Sequence, residues 1–280
     1  PLTEPLYQYA TELPVFPSIE KTIQKRDFEI SSTLVSEFNV AKRILILAGT
    51  LDKNPELQSL LSQFVKNHSV VVLTEANSNL YHDKFFNHID RYVFNFTEED
   101  FRTYAPDLLI TIGQNVVSKK VKEFLRKAKP QNHWHIDEFW QPNTYFALTQ
   151  EIKTKPEIFF SQLLKFAKLE PSAYFNLWDI LRDKKDAKHD EYCKTIDFSD
   201  FKIFQILEQK IPSNYNIHIS NSSAIRYAEL FPYSQNHNIY CNRGTSGIDG
   251  STSTAMGFAM MNENPTILIS GELGFFYDIN

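Results

Sequence analysis

Residues 43–48 read Arg43-Ile44-Leu45-Ile46-Leu47-Ala48, a run too short for a typical helix and apolar on both faces of a strand. A strand of that kind must be covered on both sides, as in a parallel sheet sandwiched between helices. Working outward, residues 69–73 (SVVVL), 91–94 (RYVF), 108–112 (LLITI) and 133–136 (HWHI) read as further buried strands. Residues 56–67 and 118–127 carry apolar side chains at three- and four-residue spacing, which predicts amphipathic helices between them. A helical pattern also runs from about residue 18 to residue 39. The alternation predicts an α/β fold, a doubly wound parallel sheet. Its first strand ends in Ala48-Gly49-Thr50-Leu51-Asp52, with one glycine where a dinucleotide-binding turn needs three. This half is expected to lend side chains to a site elsewhere and to hold no dinucleotide itself.

Residues 168–197 are charged, with the run Arg182-Asp183-Lys184-Lys185-Asp186, and read as an irregular connection containing a solvated helix. Strand and helix then resume. Residues 217–219 end at Ser220-Asn221-Ser222 and open a helix through Leu230. Residues 238–241 end at a glycine-rich loop and open a helix over about 251–261. Residues 266–269 end at Ser270-Gly271-Glu272-Leu273-Gly274. Ligands of parallel α/β sheets bind outside the carboxyl ends of the strands, so Ser222, the 244–250 loop and Glu272 are expected along one edge.

Length and composition bound the function. The 280 residues, 42% hydrophobic, suffice for about two domains. A net charge of −5 without a basic stripe argues against nucleic-acid binding. Cys193 and Cys241 are too few and too far apart for a disulfide framework or a zinc site. No apolar run approaches 18 residues and no leader is visible, so a soluble cytoplasmic protein without membrane insertion is expected. Pro1 at one end and an apolar run before Asn280 at the other suggest a piece of a longer protein.

The chain has eight glycines, and six of them, Gly244, Gly247, Gly250, Gly257, Gly271 and Gly274, crowd the C-terminal region. No glycine is followed by Lys-Ser or Lys-Thr, which excludes a P-loop. Ser246 has Ile248 where a nucleophile elbow needs glycine. Two readings of the loop remain. It is a tight turn with Ser251 or Thr252 as helix N-cap, or a cradle of backbone amides for an anion such as a diphosphate. Glu272, at the end of a buried strand, is likewise either a helix N-cap group or a ligand for a hard cation. Taken together, loop and carboxylate favour a magnesium-diphosphate site.

The string Asn242-Arg243-Gly244-Thr245-Ser246-Gly247-Ile248-Asp249-Gly250 closely resembles the NRG-x-SGIDG signature of the 2-succinyl-5-enolpyruvyl-6-hydroxy-3-cyclohexene-1-carboxylate synthase (MenD) family. Gly271-Glu272-Leu273-Gly274-Phe275-Phe276-Tyr277-Asp278-Ile279-Asn280 is similar to that family's thiamine-diphosphate metal motif. Glu4-Pro5-Leu6-Tyr7 resembles the segment leaving its N-terminal domain. The resemblance implies three parts: residues 1–17 as a linker from a missing pyrimidine-binding domain, 18–168 as the doubly wound middle domain, and 169–280 as the truncated first half of a diphosphate-binding α/β domain.

It also implies a decarboxylative addition of 2-oxoglutarate to isochorismate in menaquinone biosynthesis, dependent on thiamine diphosphate and Mg2+ or Mn2+. Glu272 would be a metal ligand, in a position where the family more often has Asp. Ile248 would prop the cofactor in its bent form, and Ser222, Ser246 and Gly274 would contact it. Arg243, Arg226, Lys119 and Lys120 would meet the substrate carboxylates. Solvated positions on the helix face remain open for one of the two lysines. The activating glutamate is expected outside this chain, so no catalytic residue is assigned to it, the chain alone is expected to be inert, and the whole protein is expected as a homodimer or homotetramer. An acetolactate-type thiamine enzyme and a non-catalytic relic of the fold are the alternatives.

Overall fold

The computed structural model describes residues 28–233 and 235–278. The expected linker over residues 1–17, the Glu4–Tyr7 resemblance and the last two residues of the metal motif lie outside them. In chain order the elements are α1 (Ser32–Val40), β1 (Ile44–Ala48), α2 (Pro55–Val65), β2 (Val71–Thr74), α3 (Ile89–Val93), α4 (Glu98–Thr103), β3 (Leu108–Ile112), α5 (Lys119–Ala128), β4 (Asn132–Ile136), β5 (Gln150–Ile152) and α6 (Pro156–Leu164). There follow α7 (Ala173–Thr195), α8 (Asp200–Lys210), β6 (Asn216–Ile219), α9 (Ser223–Ala228), β7 (Asn238–Tyr240), α10 (Ser251–Met260), β8 (Thr266–Ile269) and α11 (Glu272–Tyr277).

Two all-parallel sheets result. The first has five strands in the order β2-β1-β3-β4-β5, and the second has three in the order β7-β6-β8. The α/β fold with a helix-covered parallel sheet is therefore as expected from RILILA. Alternation along β1 shows how. Ile44, Ile46 and Ala48 pack with Phe38, Leu61, Phe64 and Phe160 from α1, α2 and α6. Leu45 and Leu47 face the other way, toward Tyr92, Phe124 and Trp178 from α3, α5 and α7. Burying both faces of these strands is the main stabilising term, at roughly 25 cal/mol per Å² of apolar surface.

Three local expectations are corrected. Residues 91–94 do not form a strand, because α3 runs through Ile89, Tyr92 and Val93, which bury one helical face at spacings of three and four. The short aromatic run misled. Residues 168–197 are not irregular either. Tyr174, Phe175 and Trp178 anchor the start of the continuous helix α7 in the first core, and only its charged later turns are solvated, before Cys193 enters the second core. At about 1.5 Å per residue, this helix is long enough to reach from one sheet's core to the other's. The helical pattern over residues 18–39 is interrupted, since residues 28–31 are not helical and α1 begins at Ser32; the part before residue 28 lies outside the described residues.

The two sheets share a joint. Ala76 and Val117, from loops of the first sheet, are buried in the core of the second. Asn79 completes the contact. Its side-chain Nδ2 donates to the Ile239 carbonyl (3.0 Å) and its Oδ1 accepts from the Ile239 amide (2.8 Å), so an amide side chain imitates a neighbouring strand on β7.

Candidate functional site

Because β6, β7 and β8 are parallel, the loops that follow them emerge together. Asn221, after β6, donates from Nδ2 to the carbonyls of Asn242 and Gly247, each at 2.6 Å. Ser220 and Ser270 are joined hydroxyl to hydroxyl at 2.9 Å. Gly274 is buried against Ile248: a Cβ there would lie 3.1 Å from the Ile248 carbonyl oxygen. Ser222, Ser246, Ile248, Gly274 and Glu272 thus lie on three loops that touch.

The detail of that edge differs from the capping reading of the sequence. Neither Ser251 nor Thr252 caps α10, whose N-cap is Gly250 at φ +76°, a backbone conformation that glycine adopts without strain. Ser222 occupies the N-cap position of α9 without a capping hydrogen bond, at φ +73°. Ser246 also has positive φ, at +62°. Such non-glycine conformations cost of order 1–3 kcal/mol each and concentrate at ligand clamps. Glu272 is exposed in the first turn of α11, and Gly271 holds the N-cap position. Its carboxylate has no hydrogen bond or ion pair with the described residues. Among these residues no group of three or more His, Cys, Asp and Glu is placed to hold a metal ion.

The basic residues divide. Arg243 is half-buried, its guanidinium donates to Asn221 Oδ1 at 2.7 Å, and its Nε is buried without a partner. Arg226 faces Asp90, whose carboxyl is raised by burial and drawn back by the Ser118 hydroxyl and by Arg226. Lys119 is exposed at the first position of α5. Lys120 is held by Glu123 at 3.1 Å and stands over the Phe94 ring. Sequence reasoning missed Lys122, a half-buried lysine of α5 that faces a cavity. Burial lowers its ammonium pKa, Glu75 opposes that shift, and Arg243 and Arg226 add to it. The three-residue step from Lys119 along the helix face was the available signal.

Lys122 also lines a cavity of about 510 Å³ at the carboxyl ends of β3 and β4, with Thr111, His135, Asp137, Trp140 and Tyr145 on its walls. Gly244 and Asn115 close it toward the glycine loop. Asn115 donates from Nδ2 to the carbonyls of Arg243 (2.9 Å) and Gly244 (3.3 Å), so the first sheet holds the loop of the second.

Two buried carboxyls lie beneath the joint, and the sequence reading named neither. Glu75, directly after β2, carried the same signal as Glu272, an acid at the end of a buried strand. Its two oxygens accept from the amides of Val117 (2.6 Å) and Ser118 (2.7 Å). Burial outweighs those bonds and pushes its pKa up to about 7. Glu229, at the end of α9, accepts from the Ala76 amide at 2.8 Å with one oxygen and leaves the other unpartnered. Burial, and then Glu75, raise its pKa well above the usual carboxylate range. Two such groups cannot both be charged cheaply. Glu229, with the weaker set of donors, keeps the proton.

That pair has a measurable consequence. The unfolded chain releases these protons near pH 4.5 while the folded chain holds them to higher pH, so stability falls as pH rises above about 4.5, by about 1.4 kcal/mol per pH unit per retained proton, and the share of Glu75 in that fall ends near pH 7. Glu229→Gln carries a neutral group at every pH. Melting temperatures between about pH 5 and pH 7 are expected to fall by several degrees for the wild type and by clearly less for this variant; parallel curves would contradict the assignment.

No family model matches the chain. Curated relatives do. Over 284 residues it is 43% identical to the 2-succinyl-5-enolpyruvyl-6-hydroxy-3-cyclohexene-1-carboxylate synthase of Flavobacterium johnsoniae, covering 100% of this chain and 51% of that protein. The synthases of the same name from Flavobacterium psychrophilum and Christiangramia forsetii are 41% and 40% identical, again over the whole chain. The chain belongs to this synthase family. It spans about half the length of the curated relatives it matches, and the resemblance first seen in residues 242–250 extends from end to end. Among the described residues no helix is long and apolar enough to cross a membrane.

Proposed function

We propose that the protein of which this chain forms about half is a 2-succinyl-5-enolpyruvyl-6-hydroxy-3-cyclohexene-1-carboxylate synthase of menaquinone biosynthesis. It would work in the cytoplasm as a homodimer or homotetramer, with residues 18–168 as its middle domain and 169–280 as the start of its diphosphate-binding domain. The observation that carries the reading is that Lys122 and Gly244, the neighbour of Arg243 on the loop after β7, line one cavity, where Arg243, Arg126 and Arg226 all act on the Lys122 ammonium. Asp90 and Glu75 offset part of that positive charge, and among the described residues Arg243 Nε is buried without a partner. Such a cluster is costly until anions enter it. Substrates with two carboxylates each, 2-oxoglutarate and isochorismate, have the complementary charge, and the guanidinium fork matches carboxylate geometry.

The residues of the edge fit a diphosphate cofactor and its cation. Open space lies beside Gly244 and Gly250, Ser222 and Ser246 hold strained backbone there, and the Glu272 carboxylate is unengaged. In this reading Ser222, Ser246, Ile248 and Gly274 would hold thiamine diphosphate, and the Glu272 carboxylate would serve as a ligand for Mg2+ or Mn2+. When bound, the cofactor supplies the electron sink for decarboxylation. Arg243 and Arg226 would grip and orient the carboxylates, Lys122 would add a point charge from the cavity side, and Lys119 and Lys120, earlier on α5, would add positive charge outside the cavity wall.

The test is carbon dioxide release from 2-oxoglutarate by the full-length protein with thiamine diphosphate and Mg2+. Turnover that depends on isochorismate is expected. The present chain by itself is expected to give none, because its described residues supply the metal with one carboxylate. Release indifferent to isochorismate, or no release at all, would refute the synthase reading.

A further inference from the structure

The joint between the sheets contains a buried carboxyl whose placement is hard to explain by packing. Glu75 is 2% exposed, and so is Glu229. Burying a carboxylate is expensive unless specific donors receive it. Here β2 and β3 are separated by β1, so the Glu75 side chain reaches across the end of β1 to the loop that opens α5. It takes the amides of both Val117 and Ser118. Ser118 is the N-cap of α5, its hydroxyl accepting from the Val121 amide at 3.0 Å and donating to Asp90. A carboxylate at this helix start also meets the favourable end of the helix dipole.

The next residue completes a chain of contacts. The Ala76 amide donates to Glu229 at the C-terminal end of α9, three residues beyond Arg226 in sequence. Glu75 and Ala76 therefore tie together, in two consecutive residues, the helix that carries Lys122 and the helix that carries Arg226. The Glu75 backbone is locked in turn, its amide donating to the Ser78 hydroxyl at 3.0 Å, and that hydroxyl donating to the Ala48 carbonyl at 2.8 Å. None of these groups reaches the open edge where Glu272 and Ser246 lie.

We propose that Glu75 is a positioning residue of the substrate site: its carboxylate fixes the start of α5 against α9 and so sets the separation of Lys122 from Arg226 and Arg243. The inference rests on the synthase reading and deepens it, because it assigns substrate affinity to a residue that touches no substrate. Glu75→Gln keeps the shape of the side chain but presents an NH2 group to one of the two amides, so one hydrogen bond becomes a donor–donor contact and the helix start must shift.

The experiment uses the full-length protein, steady-state kinetics with each dicarboxylate, thiamine diphosphate binding by fluorescence quenching, and amide exchange over residues 117–121. For Glu75→Gln the expected result is a KM for at least one dicarboxylate raised about tenfold or more, with kcat within about threefold. Cofactor affinity should be unchanged, and the amides of Val117 and Ser118 should exchange faster. Should that variant fail to fold, Glu75→Asp carries the same test, since it keeps the charge but reaches one amide in place of two. An active wild type whose folded variant keeps its KM would overturn the inference alone, as would equal losses in KM and cofactor affinity. A wild type without isochorismate-dependent turnover would remove the synthase reading and this inference with it.

Discussion

Replacing Arg243 with alanine in the full-length protein is expected to lower kcat/KM by roughly 30- to 4,000-fold, the equivalent of about 2–5 kcal/mol for truncating one partner of a buried charge pair. One guanidinium nitrogen is committed to Asn221 and Nε is buried without a partner. In the proposed complex the guanidinium meets a substrate carboxylate, and without it the carboxylate would be desolvated and unpaired. Arg243→Lys restores the charge without the planar fork and is expected to recover only part of the loss. The fold should survive, since the loop is held independently by Asn115 and Asn221 through main-chain carbonyls. Kinetics with each dicarboxylate, beside melting curves, would separate the two effects. A folded alanine variant within threefold of wild type would remove Arg243 from the site.

The second large effect concerns stability. Gly49→Ala would place its Cβ 2.1 Å from the Gln114 carbonyl oxygen and 3.0 Å from its carbon. Backbone atoms obstruct it, and they are pinned: the Gly49 amide donates to the Ile112 carbonyl at 2.9 Å and the Gln114 amide to the Thr50 carbonyl at 2.9 Å. No rotamer change can make room, so β1 and the loop after β3 must part. The expected cost is about 3 kcal/mol or more, seen as a melting temperature lowered by roughly 6–12 °C. Asn115 sits in the displaced loop and holds the carbonyls of Arg243 and Gly244, so activity should fall with stability. Gly257→Ala is the counterpart. Nothing lies within 4 Å of a Cβ there, and in the interior of α10 alanine should stabilise by about 0.5–1 kcal/mol. Equal melting temperatures for the two variants would refute the steric account.

The strands with one-sided or fully apolar patterns were legible because their signal is local. RILILA, SVVVL and LLITI announce buried parallel strands by composition alone, and the NRGTSGIDG string announced the family. The edge of the second sheet was legible too, since parallel strands of similar length must release their loops on one side. The errors came where a short window carried two periods. Residues 89–94 contain an aromatic run and a helical face, and the packing of Tyr92 and Val93 against Phe86, Phe124 and Trp178 chose the helix. The charged run of α7 hid a helix whose aromatic first turns are anchored in the first core.

By itself, then, the sequence determined the α/β class, the order of strands and helices around the glycine loop, and the edge of the second sheet at which the three loops meet. Those are properties of neighbouring residues, written in side-chain period and in glycine. Only the tertiary structure decided that Lys122 faces a cavity while Lys120 pairs with Glu123, that Asn115 and Asn221 hold the loop of Arg243, and that Glu75 and Glu229 meet beneath the joint. These pairs are separated by up to 154 positions in the chain, and no periodicity links them. Burial in a shared low-dielectric junction, which forces each polar group to find a partner or surrender its charge, is what brings them into one site.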